Sequence, residues 1–318
     1  MSERHRILVV TLGGTIALRL TDGRAQATAL DAELLSAVRA ANTAVSVDVH
    51  EFCALDSVDL TLGQLCELAA FLASRRERYD GFVVSTGTDT LEEVAYALHL
   101  LLDGQLSLVV TGALRPPYAE SFDGLDNLRL AQRTVLDKRA SGRVLVALGG
   151  SIVDARSVTK ASAFRLDAFA PIYSNGDATD GFGTATEQHP NEGSAVQQYA
   201  DPAVVDRIVV PILHASVGSE LLPSIPATAD GCVVACPGGF SMSARNVEAL
   251  ADVAARIPIA LVSRCLHGEF PADEDPYPGY LRALEGNGFL IRQFAGLSPQ
   301  KARVKLILRT LLPGRVAA

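Results

Sequence analysis

The sequence predicts an α/β fold, in which a larger N-terminal, mostly parallel sheet flanked by helices precedes a smaller C-terminal α/β domain. Short apolar runs alternate with segments whose apolar residues recur at helical spacing, which is typical of a parallel sheet covered on both faces. The 318 residues, 48% of them hydrophobic, suffice for one large core or two ordinary ones. Between about residues 174 and 202 the composition shifts to Gly, Asp, Asn, Thr, Gln and Pro, which favours two domains.

The N-terminal domain is predicted over residues 1–185, a linker over 186–206 and the smaller domain over 207–318. Five apolar runs predict the strands of the larger sheet: Arg6–Thr11, Val45–Phe52, Phe82–Val84, Ser107–Val110 and Val144–Leu148. Four segments with helical periodicity predict its helices: Asp31–Asn42, Thr61–Arg78, Leu91–Leu102 and Leu125–Lys138.

The same alternation continues in the smaller domain. Strands are predicted at Ile208–Leu213, Cys232–Ala235 and Ile259–Ser263, and helices at Ser243–Ile257 and from Ser298 onward. Its polar turns, at Pro237-Gly238-Gly239 and Ser263-Arg264, are more simply interpreted as ordinary turns than as chemical groups.

A polar segment, Ser85-Thr86-Gly87-Thr88-Asp89-Thr90, lies between a predicted strand and a predicted helix. Open α/β sheets bind ligands just beyond the carboxyl ends of their strands, so this position favours a functional site. Taken alone, Thr88 and Asp89 are more simply explained as helix caps, because Ser, Thr and Asp cap helices for local reasons.

A second candidate segment follows the first strand, where Gly13-Gly14 permits a sharp turn and leaves Thr15 beside open space. These two glycines are not a dinucleotide fingerprint, and no Walker-type lysine follows them. Phosphate binding is therefore poorly supported.

These segments belong to an ordered set that resembles the bacterial-type L-asparaginase/glutaminase family. The set comprises Leu12-Gly13-Gly14-Thr15-Ile16-Ala17, Thr86-Gly87-Thr88-Asp89-Thr90-Leu91-Glu92-Glu93, Thr111-Gly112-Ala113-Leu114-Arg115-Pro116, Ser121-Phe122-Asp123-Gly124 with Asn127-Leu128, Val158-Thr159-Lys160 and Ser298-Pro299-Gln300-Lys301-Ala302-Arg303. A single Gly-Thr-Asp-Thr is a weak signal, whereas the set in family order over nearly the whole chain is a strong one.

The resemblance implies an amidohydrolase whose catalytic residues are Thr15, Thr88, Asp89 and Lys160. Thr15 corresponds to the threonine that attacks the side-chain amide, and Thr88, Asp89 and Lys160 correspond to the group that handles the proton. Lys160 can accept a proton only as the neutral amine. Without the family match, Lys160 would be interpreted as a solvated surface lysine.

The implied substrate is L-asparagine, which yields L-aspartate and ammonia, with a side activity on glutamine. Asp56-Ser57 resembles the family segment that holds the α-carboxylate and α-amino groups, and the resemblance also implies substrate contacts from Thr88 and Asp89. On their own, Asp56 and Ser57 would be interpreted as a helix cap. A different small amide, or a binding protein without turnover, remains an alternative.

Several positions depart from the family pattern. Leu12 stands where threonine is usual, and Thr86 stands where histidine is usual. Leu18–Leu30, the segment that commonly carries a tyrosine touching the nucleophile, contains none. Cys236–Phe240 also lacks the asparagine that many relatives direct to a neighbouring subunit's substrate. These departures are the reason for keeping the alternative substrate open.

The composition limits the possible binding partners of the protein and its cellular compartment. A net charge of −8 gives no basic surface for nucleic acid or an anionic membrane. Neither a signal peptide nor an apolar span is recognised, so a cytoplasmic protein is expected. The five cysteines are interpreted as reduced core residues, and Cys232 and Cys236 lack the spacing of a zinc site. We expect no cofactor and no metal, and the resemblance implies a homotetramer or homodimer.

Overall fold

The computed structural model describes residues 4–22, 24–28, 32–40, 45–102, 104–172, 201–266 and 278–312. These residues form two compact units, the first ending at Pro171 and the second beginning at Ile172. The predicted domain boundary at residue 185 lies outside the described residues, as does the linker up to residue 200. Residues 201–206 of that linker belong to the second unit and contain a short helix, Pro202–Val205.

The first unit contains ten strands and four α-helices among its described residues. The strands are β1 (His5–Gly13), β2 (Leu18–Thr21), β3 (Arg24–Ala27), β4 (Val45–Leu55), β5 (Gly81–Ser85), β6 (Leu108–Thr111), β7 (Val144–Leu148), β8 (Ser151–Asp154), β9 (Val158–Lys160) and β10 (Phe169–Pro171). The helices are α1 (Ala32–Ala40), α2 (Leu62–Ala73), α3 (Leu91–Leu102) and α4 (Gly124–Val135).

The main sheet has the strand order β4-β1-β5-β6-β7-β8. The first five strands are parallel, and β8 is antiparallel to β7. Taken by their order along the chain, the parallel strands run 2-1-3-4-5, so the connections reverse direction between β1 and β5. Sheets of this order bind ligands at that reversal, beyond the carboxyl ends of the strands. The mostly parallel sheet predicted from the sequence is confirmed.

Helices cover both faces of this sheet because its strands are apolar at successive positions. Ile7 and Val9 pack in a buried cluster with Leu128 and Val135 of α4. The alternate residues Leu8 and Val10 are also buried, on the opposite face. A strand buried on both faces belongs to the interior of an α/β sheet, which accounts for the continuous apolar run at the start of the chain.

Helix α2 starts as predicted and ends early. The Thr61 hydroxyl accepts a hydrogen bond from the Gln64 backbone, and the Gln64 side chain accepts one from the Thr61 backbone, which forms a capping box. The helix ends at Ala73, so the predicted extension to Arg78 is wrong. Ser74 and Arg75 donate side-chain hydrogen bonds to the Phe71 carbonyl, which satisfies one of the unpaired acceptors of the last turn.

Three features of the first unit were not predicted from the sequence. Strands β2 and β3 form an antiparallel hairpin, three residues after the Gly-Gly turn. Strand β8 returns antiparallel at the edge of the sheet. Among the strands that the structure describes, β9 and β10 pair with each other alone, as a two-stranded ribbon that ends the described part of this unit. These strands have three or four residues each, which is too short for a periodic pattern to stand out.

The second unit contains a smaller parallel sheet, as predicted. Its strands are β11 (Ile212–His214), β12 (Cys232–Cys236), β13 (Ile259–Ser263) and β14 (Phe289–Leu290), in the order β11-β12-β13-β14. Its helices are α5 (Pro202–Val205), α6 (Ala244–Ala254), α7 (Pro278–Gly286) and α8 (Pro299–Thr310). Ser243 and Ser298 cap α6 and α8 through their hydroxyl groups. In the described part of the chain, no helix combines the length and apolar character needed to cross a membrane.

Candidate active site

The Gly13-Gly14 turn brings the ends of three strands together. Both glycines have positive φ angles, of 98° and 79°, which residues with a side chain rarely adopt. The Gly14 backbone donates a hydrogen bond of 3.0 Å to the Leu55 carbonyl at the end of β4. A Cβ at residue 14 would lie 2.2 Å from the Gly87 nitrogen, so only glycine allows β1 and the segment after β5 to approach this closely.

Thr15 lies at this meeting point, immediately after the turn. It begins a single turn of 3-10 helix, Thr15–Ala17, whose other two residues are buried in the core. Thr15 itself is half-buried. Its hydroxyl has no hydrogen-bond partner among the residues that the structure describes. The structure therefore leaves the Thr15 hydroxyl free to contact a bound molecule.

The segment before α3 holds Lys160 through two side chains. The Lys160 ammonium nitrogen lies 3.0 Å from the Thr88 hydroxyl oxygen and 2.6 Å from a carboxylate oxygen of Asp89. Lys160 reaches this position from β9, 72 residues after Thr88. Its side chain is only 16% exposed, whereas that of Asp89 is 73% exposed. The interpretation of Lys160 as a solvated surface lysine is therefore wrong.

A third residue of the same helix start contacts Lys160 at its backbone. A carboxylate oxygen of Glu92 accepts a hydrogen bond of 2.8 Å from the Lys160 backbone nitrogen. Glu92 lies in the first turn of α3 and is 5% exposed. Glu92 belongs to the Thr86–Glu93 motif, but no role is predicted for it from the sequence. No local feature of the sequence distinguishes it from Glu93, the next residue in the first turn of the helix.

Asp56 and Ser57 lie at the end of β4, beside the same helix start. Ser57 is buried, and its carbonyl oxygen accepts a hydrogen bond of 2.8 Å from the Thr90 hydroxyl. The Ser57 hydroxyl accepts one of 3.4 Å from the Thr90 backbone. Asp56 is exposed and precedes a 3-10 helix, Ser57–Asp59, without capping it through its side chain. Capping therefore does not explain Asp56.

A buried polar network supports the loop after β6, next to Thr88. The Asp123 carboxylate accepts hydrogen bonds from the backbones of Leu114 and Arg115 and from the Asn127 amide. That amide also donates to the Gly112 carbonyl, and its oxygen accepts from the Gly149 backbone. A buried carboxylate with several donors is a strong restraint, so these motif residues hold the loop between β6 and α4 in one conformation.

Two of the positions that depart from the family pattern, Leu12 and Thr86, are buried. Leu12 packs in the core, where a hydroxyl is not required. Thr86 is fully buried, and its hydroxyl has no hydrogen-bond partner among the described residues. In the hairpin, Thr28 donates its hydroxyl to the Ala17 carbonyl, while Arg19 and Gln26 are exposed. None of these side chains forms a hydrogen bond with Thr15 in the described part of the chain.

The five cysteines differ in burial. Burial raises the pKa of Cys232 and of Cys236 to about 12, which makes both thiols inert core residues. Burial also raises the pKa of Cys53, which donates to the Leu12 carbonyl. Cys265 is exposed, so the expectation that all five cysteines are core residues is wrong for that position. Among the described residues, no group of three or more His, Cys, Asp or Glu side chains could hold a metal ion.

The structure thus brings Thr88, Asp89 and Lys160 into direct contact, with Ser57 bonded to the same helix start and Thr15 one residue from the Gly14–Gly87 contact. All of them lie in the first unit, at the carboxyl edge of the sheet or on the ribbon beside it. Lys160 and Thr88 supply donors and acceptors that a small polar molecule could bind, and Asp89 and Asp56 supply exposed carboxylates.

Comparison with known proteins gives consistent results. The family model "Asparaginase, N-terminal" matches residues 6–178, more than half of the chain. A probable L-asparaginase of Deinococcus radiodurans is 32% identical over 81% of this chain and 79% of its own length. A probable periplasmic L-asparaginase of Haemophilus influenzae is 28% identical over 96% and 89%. The crystal structure of a probable cytoplasmic L-asparaginase from Campylobacter jejuni has a TM-score of 0.77 at 28% identity, covering 96% and 94%. The chain therefore belongs to the asparaginase family of amidohydrolases.

Proposed function

We propose that this protein hydrolyses the side-chain amide of L-asparagine to L-aspartate and ammonia, with a side activity on L-glutamine. Thr15 is the proposed nucleophile. The observation that carries the proposal is the contact of Lys160 with both Thr88 and Asp89, beside the turn that presents Thr15. Family membership supports the reaction class, and this contact supports the assignment of the residues.

The substrate's α-groups would bind at Asp56, Ser57, Thr88 and Asp89. Asp89 uses one carboxylate oxygen for Lys160, and its exposure leaves the carboxylate accessible to the α-ammonium group of an amino acid. Asp56 offers a second exposed carboxylate. A charge-assisted hydrogen bond from the ammonium is stronger than a neutral one, so these carboxylates favour an amino acid over an uncharged amide. The Ser57 hydroxyl would donate to the α-carboxylate.

The reaction would proceed through an acyl-enzyme. The Thr15 oxygen attacks the amide carbon, and its proton passes through the Thr88 hydroxyl and Lys160 to the leaving nitrogen, which departs as ammonia. Water then attacks the ester carbon and gives one of its protons to the Thr88–Lys160 pair. The bond from that carbon to the Thr15 oxygen breaks, the oxygen takes the proton from the pair, and L-aspartate is released. For Lys160 to accept a proton, it must be neutral at that step. Thr88 is buried, which keeps bulk water from competing for this transfer.

Ammonia release from L-asparagine, measured side by side for the wild type, Thr15→Ala and Thr15→Ser with chelator present, tests the proposal. We expect turnover in the wild type, background in Thr15→Ala and partial turnover in Thr15→Ser, which keeps a hydroxyl. Equal turnover in the wild type and Thr15→Ala would refute Thr15 as the nucleophile.

A panel of other amides separates the remaining alternatives. The panel is motivated by the absence of a tyrosine between residues 18 and 30 and of an asparagine between 236 and 240. Turnover of another amide, with none of asparagine, would move the assignment to that substrate. Binding of amino acids without any turnover would make the protein a binding homologue.

We further propose that the protein acts in the cytoplasm as a homotetramer or homodimer, without a cofactor or metal. Light scattering coupled to size-exclusion chromatography measures the mass of the assembly. A monomer that retains full activity would contradict this part of the proposal, as would activity that a chelator abolishes and a divalent ion restores.

A further inference from the structure

The ribbon that carries Lys160 is not part of the main sheet. Strand β9 pairs only with β10, in an antiparallel register that places Lys160 opposite Phe169. Among the described residues, no backbone ladder therefore connects Lys160 to the parallel strands that position Thr15 and Thr88. Side-chain contacts to the start of α3 connect Lys160 to the site instead.

The Lys160 backbone N–H points away from the ribbon. On the ribbon side, the Ala161 nitrogen donates to the Ala168 carbonyl. Successive backbone N–H groups on a strand point to opposite sides, so the Lys160 N–H faces α3, where a Glu92 oxygen accepts it at 2.8 Å. A buried N–H requires a partner, and a carboxylate is the strongest acceptor a side chain offers.

The location of Glu92 also stabilises its negative charge. Carboxylates are favoured in the first turn of a helix, where unpaired N–H groups and the helix dipole are positive. Thr88 and Asp89 lie four and three residues before Glu92, at the same helix end. One helix start therefore holds Lys160 at two points, its ammonium nitrogen and its backbone nitrogen.

We propose that Glu92 is a positioning residue, which acts on the reaction through Lys160. By fixing the backbone of residue 160 against α3, it sets the distance between the ammonium nitrogen and Thr88. The expected effect of Glu92 on kcat rests on the proposed function. Its expected effect on stability rests only on the hydrogen bond between Glu92 and the Lys160 backbone. A displacement of a reacting group by about 1 Å can lower turnover about 10²-fold.

The test is a cycle of four proteins: wild type, Glu92→Leu, Lys160→Met and the double variant. Leucine keeps the approximate size of the side chain and removes the acceptor. We expect Glu92→Leu to lower kcat about 10²-fold with KM for asparagine little changed, since the proposed α-group contacts are elsewhere. In the Lys160→Met background, the same substitution should cause no further loss of kcat.

Two further variants distinguish positioning from a general structural role. Glu92→Gln keeps an acceptor oxygen and should recover most of the turnover lost in Glu92→Leu. Glu93→Leu makes the same change at the next position of α3, where the side chain is less buried, and should leave kcat near the wild-type value. An equal loss of kcat in the Lys160→Met background and in the wild type would overturn the inference, because Glu92 would then act independently of Lys160.

Urea unfolding of the same four proteins tests the inference without any substrate. We expect Lys160→Met to lower stability more in the wild type than in the Glu92→Leu background, since the loosened ribbon no longer holds Lys160 against Thr88 and Asp89. If the wild type releases ammonia from no amide, the proposed function fails. The urea unfolding measurements alone then test whether Glu92 positions Lys160. Unequal effects would then support the positioning role, and strictly additive effects would overturn it.

Discussion

Replacing Lys160 by methionine should reduce turnover far more than it reduces the stability of the fold. The hydrogen bond to the buried Thr88 contributes about 1 kcal/mol to folding. The ion pair with Asp89 contributes about 0–1 kcal/mol, because that carboxylate is 73% exposed. Loss of a positioned proton acceptor lowers a rate about 10²–10⁴-fold, which corresponds to about 3–5 kcal/mol of activation free energy. The effect on kcat should therefore exceed the effect on the free energy of unfolding.

The measurements are kcat from coupled ammonia detection and the free energy of unfolding from urea titration. Lys138→Met is the matched control, because Lys138 is an exposed lysine away from the site cluster and should tolerate the same change with wild-type kcat. Binding of L-aspartate to Lys160→Met should persist, because Asp56 and Ser57 are unchanged. A folded Lys160→Met protein with wild-type kcat would refute the role of lysine in the mechanism.

Three further predictions concern binding, the supporting network and thiol reactivity. Asp89→Asn should raise KM for asparagine about tenfold or more, since a charge-assisted contact to the α-ammonium is lost; an unchanged KM in steady-state kinetics would remove Asp89 from substrate binding. Asp123→Ala should lower the free energy of unfolding by about 3 kcal/mol, since several buried donors lose their acceptor, and a change within error in urea titration would contradict this. Alkylation at pH 8, followed by mass spectrometry, should modify Cys265 rapidly and Cys232 and Cys236 only after denaturation, because the pKa of the two buried thiols, near 12, disfavours the thiolate. Equal rates at the three positions in the native protein would contradict the burial of Cys232 and Cys236.

The parallel sheet was predictable because its signals are local. Each strand of the core is a short apolar run, and the long helices show clear periodicity, as Leu91–Leu102 does. The errors in the predicted elements occur where hydrogen bonds of individual side chains, which hydrophobic periodicity does not reveal, accompany the end of an element. The sequence predicts helix α2 as far as Arg78, whereas hydrogen bonds from Ser74 and Arg75 to the Phe71 carbonyl accompany its end at Ala73.

The candidate site was only partly accessible to sequence reasoning. Thr88 and Asp89 follow a recognisable strand and precede a helix, so their location could be derived from the residues themselves. Lys160 lies 72 residues after Thr88, on a three-residue strand, and only the resemblance connected the two. The contacts of Thr90 with Ser57 and of Glu92 with Lys160 are likewise long-range, so no local pattern indicates them.

The Thr15 hydroxyl must pass its proton to another group when it attacks the substrate, and few hydroxyl groups in the described part of the first unit are suited to accept that proton. Thr28, the hydroxyl at the base of the hairpin, already donates to the Ala17 carbonyl, and the hairpin contains no tyrosine. Thr88 is different, because its hydroxyl oxygen accepts from Lys160 and its own proton remains available for exchange with a bound group. In the proposed reaction, Thr88 and Lys160 therefore accept the proton of Thr15 while the substrate is bound. The distance between Thr88 and Lys160 depends on the residues at the start of α3.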